Sequence, residues 1–138
     1  MKQYSELASQ DQVDEVMKSL EANGIKALFV KTGEEAKKKV LEMIPEQSEI
    51  MTMTSMTNDT IGLSNVLNES GKYQTARAKL MDKDITSSQK RKLGGGPDYA
   101  TGSVHALTQD GKLMIASNTG SQLGAYAYGA GHAIWVVG

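Results

Sequence analysis

Two short polar stretches hold the groups best suited to chemistry. Thr54-Ser55-Met56-Thr57-Asn58 supplies three hydroxyls and an amide. Ser117-Asn118-Thr119-Gly120-Ser121-Gln122 supplies three hydroxyls and two amides around a glycine. Such groups hold anions, because O–H and N–H donors point at phosphate or carboxylate oxygens and a helix start adds unpaired backbone N–H groups. Gly120 carries no Cβ, so the main chain there can approach a ligand closely. Ordinary capping accounts for the first stretch, since Ser, Thr and Asn commonly precede helices. The second is longer than one cap needs, which favours a ligand. The candidate ligand-binding residues are therefore Thr54, Ser55, Asn58, Asn118, Thr119, Gly120, Ser121 and Gln122. Neither stretch matches a phosphate-cradling loop or a dinucleotide fingerprint.

Acid–base candidates are sparse. His105, after Gly102 and Ser103 in a strand-like run, is the one side chain suited to a general base, although a lone histidine with no carboxylate at fixed spacing is more often structural. His132 follows a glycine-rich turn. The two histidines show no metal-binding spacing, so no metal site is expected. Asp59, Glu69, Asp98 and Asp110 lie near turns, and Asp110 is explained by a hairpin. There is no cysteine, which removes disulfides, thiolate zinc sites, a cysteine nucleophile and cysteine-ligated iron–sulfur clusters.

The elements that must position these groups alternate along the chain. Val13, Val16, Met17 and Leu20 repeat at the spacing of one helix face, ended by Asn23-Gly24. Ile25 to Val30 reads as a buried strand. Thr32 and Glu35 form a capping box for a second helix, with Ala36, Val40, Met43 and Ile44 on its apolar side and Pro45 as its stop. Ile50 to Thr54 is a strand, with Met51 and Met53 as adaptable core residues. A third helix is expected through Ile61, Val66 and Leu67 to Gly71. Residues 72–83 fit neither period. Thr86 and Gln89 cap a short helix ending at Leu93, and Gly94-Gly95-Gly96-Pro97 reads as a flexible turn. Tyr99 to Thr108 and Lys112 to Ser117 read as strands joined across Asp110-Gly111, a strong hairpin signal. Leu123 to Tyr128 is a short helix in which Tyr126 and Tyr128 face different sides. His132 to Val137 is an apolar strand whose Trp135 packs against a helix.

Repeated strand–helix–strand units predict an α/β protein of three layers: a mainly parallel sheet, helices on both faces and a late β-hairpin that joins the sheet or forms a small second layer. The 138 residues fit a single domain spanning 1–138. Fifteen basic residues oppose sixteen acidic ones, for a formal charge of −1, so no nucleic-acid partner is expected. The basic run Lys90-Arg91-Lys92 suits a solvated helix end. No apolar run approaches the roughly 20 residues that cross a bilayer, and the first residues lack an apolar signal core, so a soluble, cytoplasmic protein is expected.

One region points to a family. The runs Gly102-Ser103-Val104-His105-Ala106-Leu107-Thr108, Asp110-Gly111, Ile115 to Gln122, Ala125 to Gly131 and Ile134-Trp135-Val136-Val137-Gly138 resemble the LUD domain of the lactate utilization protein C family. Asn68-Glu69-Ser70-Gly71-Lys72-Tyr73 and Lys92-Leu93-Gly94 with Pro97-Asp98-Tyr99 are similar too. The resemblance implies a three-layer fold related to sugar-phosphate isomerases and CoA transferases. It also implies a part in oxidising L-lactate to pyruvate beside iron–sulfur subunits; the lack of cysteine agrees with a chain that holds no cofactor, and the two polar stretches suit a small anionic ligand. Relatives usually continue past the last strand, so the resemblance makes this domain C-terminally short, with an apolar edge suited to a homodimer. An isomerase or acyl-transferase on the same fold, or a metabolite-sensing module, are the other expectations.

Overall fold

The computed structural model describes residues 7–138. Four parallel strands form the main sheet: β1 (Glu49–Thr52), β2 (Gln74–Thr75), β3 (Tyr99–Gly102) and β6 (His132–Trp135), in the order β2-β1-β3-β6. The hairpin strands β4 (Ala106–Leu107) and β5 (Leu113–Met114) pair with each other in a separate two-stranded sheet. The hairpin thus adds a small layer and leaves the main sheet wholly parallel. Parallel sheets need cover on both faces, and this one has it. On one face Ile50 packs with Val40 and Ile44 near the end of α2 (Gly33–Met43) and with Leu63 and Leu67 of α4 (Leu63–Glu69). On the other, Met53 and Ala100 pack with Ala125 and Tyr126 of a single π-helical turn, Ala125–Gly129. The result is a three-layer α/β architecture.

Local signals built most of the helices. α1 (Gln10–Ala22) starts at a reciprocal Ser9–Gln12 capping box. Thr32 caps α2 by accepting from the Glu35 N–H at 3.1 Å, but the Glu35 carboxylate accepts from Lys31 N, one residue before the cap. The Thr86–Gln89 box forms in full at the start of α6 (Ser87–Gly95). Asp110-Gly111 turns the hairpin, with Gly111 at φ +76°, and the Asn23 amide clamps that turn by donating to the carbonyls of Asp110 and Gly111 at 3.2 Å each.

Several expectations are corrected. Ile25 to Val30 forms no strand, and Leu28 and Phe29 are each 49% exposed. An apolar β-prone run becomes a strand only where it pairs with a neighbour, and residues 25–30 pair with none of the sheet's strands. The third helix is two: α3 (Met56–Thr60) and α4, hinged at Gly62 with φ +70°. The ambiguous stretch holds β2 and a short helix, α5 (Ala76–Leu80). α6 continues through Gly95 instead of stopping at Leu93. The glycines there let backbones touch: a Cβ on Gly129 would sit 1.5 Å from the Gly95 carbonyl oxygen. The strand from Tyr99 stops at Gly102, leaving His105 between β3 and β4. The final strand is at the sheet edge, where Trp135 is half-buried and tilted against Tyr126, ring centres 5.5 Å apart. Met51 and Met53 join the core, whereas Tyr126 is buried and Tyr128 is exposed.

Candidate functional site

The strand order reverses between β1 and β3: the chain leaves β1 toward β2, then returns across β1 to β3. Ligands of open parallel sheets sit beyond the carboxyl ends of the strands at such a reversal. Here that crevice is spanned by protein. Ser55, 5% exposed, caps α3 by accepting from Asn58 N at 3.1 Å, and the fully buried Asn58 donates its amide to Thr101 Oγ1 of β3 at 3.3 Å. Polar residues at this point are spent on joining α3 to the sheet.

Beside it, toward β2, a cavity of about 360 Å³ opens at the carboxyl ends of β1 and β2. Thr52, Thr54 and Thr75 line it, with Ser64 and Asn68 of α4 and Arg77 of α5. Asp59 and Glu69 are exposed on its wall. One residue organises the floor. The Asn68 side-chain amide donates to the Ser64 carbonyl at 2.8 Å, and its Oδ1 accepts from Thr52 Oγ1 at 3.0 Å and Thr75 Oγ1 at 2.9 Å. Arg77 is present because β2 is so short. The strand leaves the sheet after Thr75, so the Thr52 carbonyl takes its hydrogen bond from the Arg77 guanidinium, at 3.1 Å, in place of a backbone N–H. A guanidinium carries five N–H donors in a planar fork, and those not spent on Thr52 face an anion well. The Ser64 hydroxyl is buried and has no partner among the described residues. The arrangement offers a cationic donor, free hydroxyls and two carboxylates to one small molecule.

The candidate residues read from the sequence divide. Thr54 lines this cavity; Ser55 and Asn58 are turned inward as described. None of Asn118, Thr119, Gly120, Ser121 and Gln122 lines it. That second stretch is mostly exposed and bonds largely to itself: Thr119 Oγ1 donates to Ser121 Oγ at 2.9 Å, and Gly120 N to Ser117 Oγ at 3.0 Å. It leads into the π-turn, whose Tyr126 hydroxyl lies at Gly102, the carboxyl end of β3, and whose Gly129 lies at Gly95 on the approach to the amino end. The stretch is thereby held on the carboxyl side of the sheet. Gly102 is required there, since a Cβ would come within 1.9 Å of the Tyr126 hydroxyl. Burial pushes that phenol well above its ordinary pKa, so it stays protonated.

His105 is exposed, and its Nδ1 accepts from Ala116 N at 3.2 Å, tying the flank of the hairpin together. Asp98 accepts from Glu49 N at 2.9 Å, at the amino end of the sheet and away from the cavity. His132 stacks on Tyr99, ring centres 4.7 Å apart. Among the described residues no three histidine, aspartate or glutamate side chains gather as a metal site, and no helix is long and apolar enough to cross a membrane. Sequence reading missed Arg77 and Thr75, which lie in the stretch without a clear period. It touched Asn68 only through the family-like run it begins, and Glu69 through that run and as a carboxylate near a turn.

The fold and this cavity define an α/β domain with a small polar site at the carboxyl edge of a parallel sheet. The family model of the LUD domain matches residues 13–138. The chain belongs to the LUD domain family, and so is related to lactate utilization proteins. No curated protein and no solved structure matches it.

Proposed function

We propose that this chain is a lactate utilization protein C-like component of L-lactate oxidation to pyruvate in the cytoplasm. In this reading it binds a small anion in the cavity beside Arg77 and works with iron–sulfur subunits. Arg77 carries the ligand part: it is a cation held by the Thr52 carbonyl at the mouth of a cavity otherwise lined by hydroxyls, amides and two carboxylates. Family membership supports the lactate part. The partner part rests on the chain's having no cysteine, so a cysteine-ligated cluster would belong to another subunit. Thr54 meets the ligand, while Ser55 and Asn58 hold the floor in place. From the second stretch, the amides of Asn118 and Gln122 make no hydrogen bond among the described residues, and they are the groups it would offer to a ligand or partner. A second reading, an isomerase or acyl-transferase, draws on Asp59 and Glu69, two carboxylates on the wall of one cavity.

A thermal-shift panel of lactate, sugar phosphates and CoA esters tests the site. A ligand at a hundred times its Kd should stabilise the fold by about 2.7 kcal/mol, and Arg77→Gln should remove that gain. If no anion raises the melting temperature, the site reading fails. Stabilisation by a sugar phosphate or CoA ester alone would favour the second reading. Affinity capture from lactate-grown cells should recover cysteine-rich iron–sulfur subunits. Recovery of this chain alone, as monomer or homodimer, would remove the partner part.

A further inference from the structure

We infer that the small anion held by this cavity is the carboxylate end of a zwitterion, an α-amino acid with an apolar side chain. The inference rests on the reading of Arg77 as the anion-binding end of the cavity and adds an opposite end that binds a cation. It begins with three charges. Arg77, Asp59 and Glu69 line the same cavity of about 360 Å³. Among the described residues none of them takes part in an ion pair, and the guanidinium bonds the uncharged Thr52 carbonyl instead. Opposite charges that line one cavity without meeting leave room for a ligand between them. A lone anion would satisfy the guanidinium and be repelled by both carboxylates. A lone cation would meet the reverse. A molecule carrying both charges satisfies all three groups.

The uncharged groups agree. The side chain of Asn68 lies 2.8 Å from the Ser64 backbone carbonyl. A carbonyl can only accept, so the amide nitrogen faces it. Oδ1 then accepts from Thr52 Oγ1 at 3.0 Å and from Thr75 Oγ1 at 2.9 Å, and each threonine spends its single proton there. Thr52 is 1% exposed and serves as backing. Thr75 is only half-buried and lines the cavity, so it presents lone pairs to a ligand. An ammonium has three N–H donors and nothing to accept with. Thr75 Oγ1, Asp59 and Glu69 are acceptors of the kind it needs. The Ser64 hydroxyl, buried and unpartnered among the described residues, both donates and accepts, so it serves either end of the ligand and favours neither. Met53, Ala78 and Met81 make part of the wall apolar, where an amino acid's side chain loses contact with water. Methionines adapt to differing shapes, which suits the class more than one member of it. Among the described residues no third carboxylate or histidine joins Asp59 and Glu69, and a guanidinium in the same cavity opposes a metal ion there.

Calorimetric titration of the full chain with leucine, isocaproate and isoamylamine tests this. Isocaproate is leucine without its ammonium, and isoamylamine is leucine without its carboxylate. Leucine should bind at least about tenfold more tightly than either, since each missing group leaves charged hydrogen bonds unmade. Asp59→Asn combined with Glu69→Gln should weaken leucine by about tenfold and leave isocaproate unchanged or tighter, because the repulsion is gone. Damage to the fold would weaken both ligands, and that result would overturn the inference. Arg77→Gln should bring leucine down to the isoamylamine value. Isocaproate binding as tightly as leucine would overturn the inference and leave the anion site standing. Isoamylamine binding as tightly as leucine would overturn both readings, since Arg77 would then hold nothing. If neither leucine nor alanine nor methionine binds, the inference fails, and the anion site stands or falls separately on the thermal-shift panel.

Discussion

The two polar stretches have nearly the same composition and opposite fates. Thr54 to Asn58 enters the molecule at two residues: Ser55 and Asn58 are buried, the first capping α3 and the second tying that helix to β3. Ser117 to Gln122 stays on the surface, bonded mainly within itself. Hydroxyl and amide content therefore does not separate a scaffold loop from a solvated one. The next element along the chain does. α3 is at once succeeded by α4, whose Leu63 and Leu67 are fully buried against β1, and that packing drags the preceding loop inward. The second stretch precedes a single π-helical turn that contributes Ala125 and Tyr126 to the core. One turn with two anchors leaves its entry loop outside. A buried polar group must be bonded or pay its desolvation cost, so the inner stretch is constrained at Ser55 and Asn58, while Met56 stays exposed, and the outer stretch has no buried residue to constrain it.

The contrast is broken most directly at Asn58. Asn58→Ala should cost about 2–3 kcal/mol in denaturant unfolding, from the lost bond to Thr101 and the space left in a fully buried position. The matching change in the outer stretch, Asn118→Ala, should stay within about 0.5 kcal/mol, as for surface residues without special contacts. Comparable losses at the two sites would show that the outer stretch is anchored by contacts absent from this structure. Ser55→Ala comes next. It removes an N-cap and should cost about 1 kcal/mol, measured as a shift in the urea midpoint at unchanged slope. Gly at the same position should recover most of that, because Gly caps nearly as well.

Much of the fold was legible because its signals are local. The Thr86–Gln89 box and the Asp110-Gly111 turn are complete within a few residues, and each folds as its spacing demands. The parallel sheet followed from alternating periods. Ile25 to Val30 was misread for the converse reason: its apolar pattern is a half-signal, and the other half, a strand to pair with, is decided by residues far along the chain. Gly94-Gly95-Gly96 reads as a turn in isolation, while its close approach to Gly129 is a tertiary fact. The site shows the same division. Thr54 could be found from its place after an apolar strand. Arg77 could not, because its role depends on β2 ending two residues earlier and leaving the Thr52 carbonyl open. Only Asn68 carried a signal of another kind, as part of a run similar to the LUD domain.

Acid should reach the outer region first and so sharpen the contrast without mutation. The hairpin that feeds the outer stretch is fastened by charge on the surface. Lys112 and Thr108 both bond the Asp110 carboxylate and hold its pKa below the ordinary value of 3.8. The carboxylate raises the Lys112 ammonium above 10.5 in return. A depressed carboxylate contributes its stabilisation in full above the unfolded value and loses it as pH falls through the lower folded one. The lysine's share is present below 10.5 and is lost as pH rises through its raised value. The fastening is therefore whole between about pH 5 and 9 and loosens at the acid end below 3.8. Because the pair is fully exposed and screened by salt, the effect is local. Amide exchange at Gly111 and Lys112 should quicken below that pH, relative to the intrinsic rate, while amides of β1 and β3 keep their protection. Asp110→Asn should give the quickened exchange at neutral pH and abolish the acid step. If the hairpin amides hold their protection at about pH 3, or β1 loosens in step with them, the outer region is held by packing and not by this carboxylate.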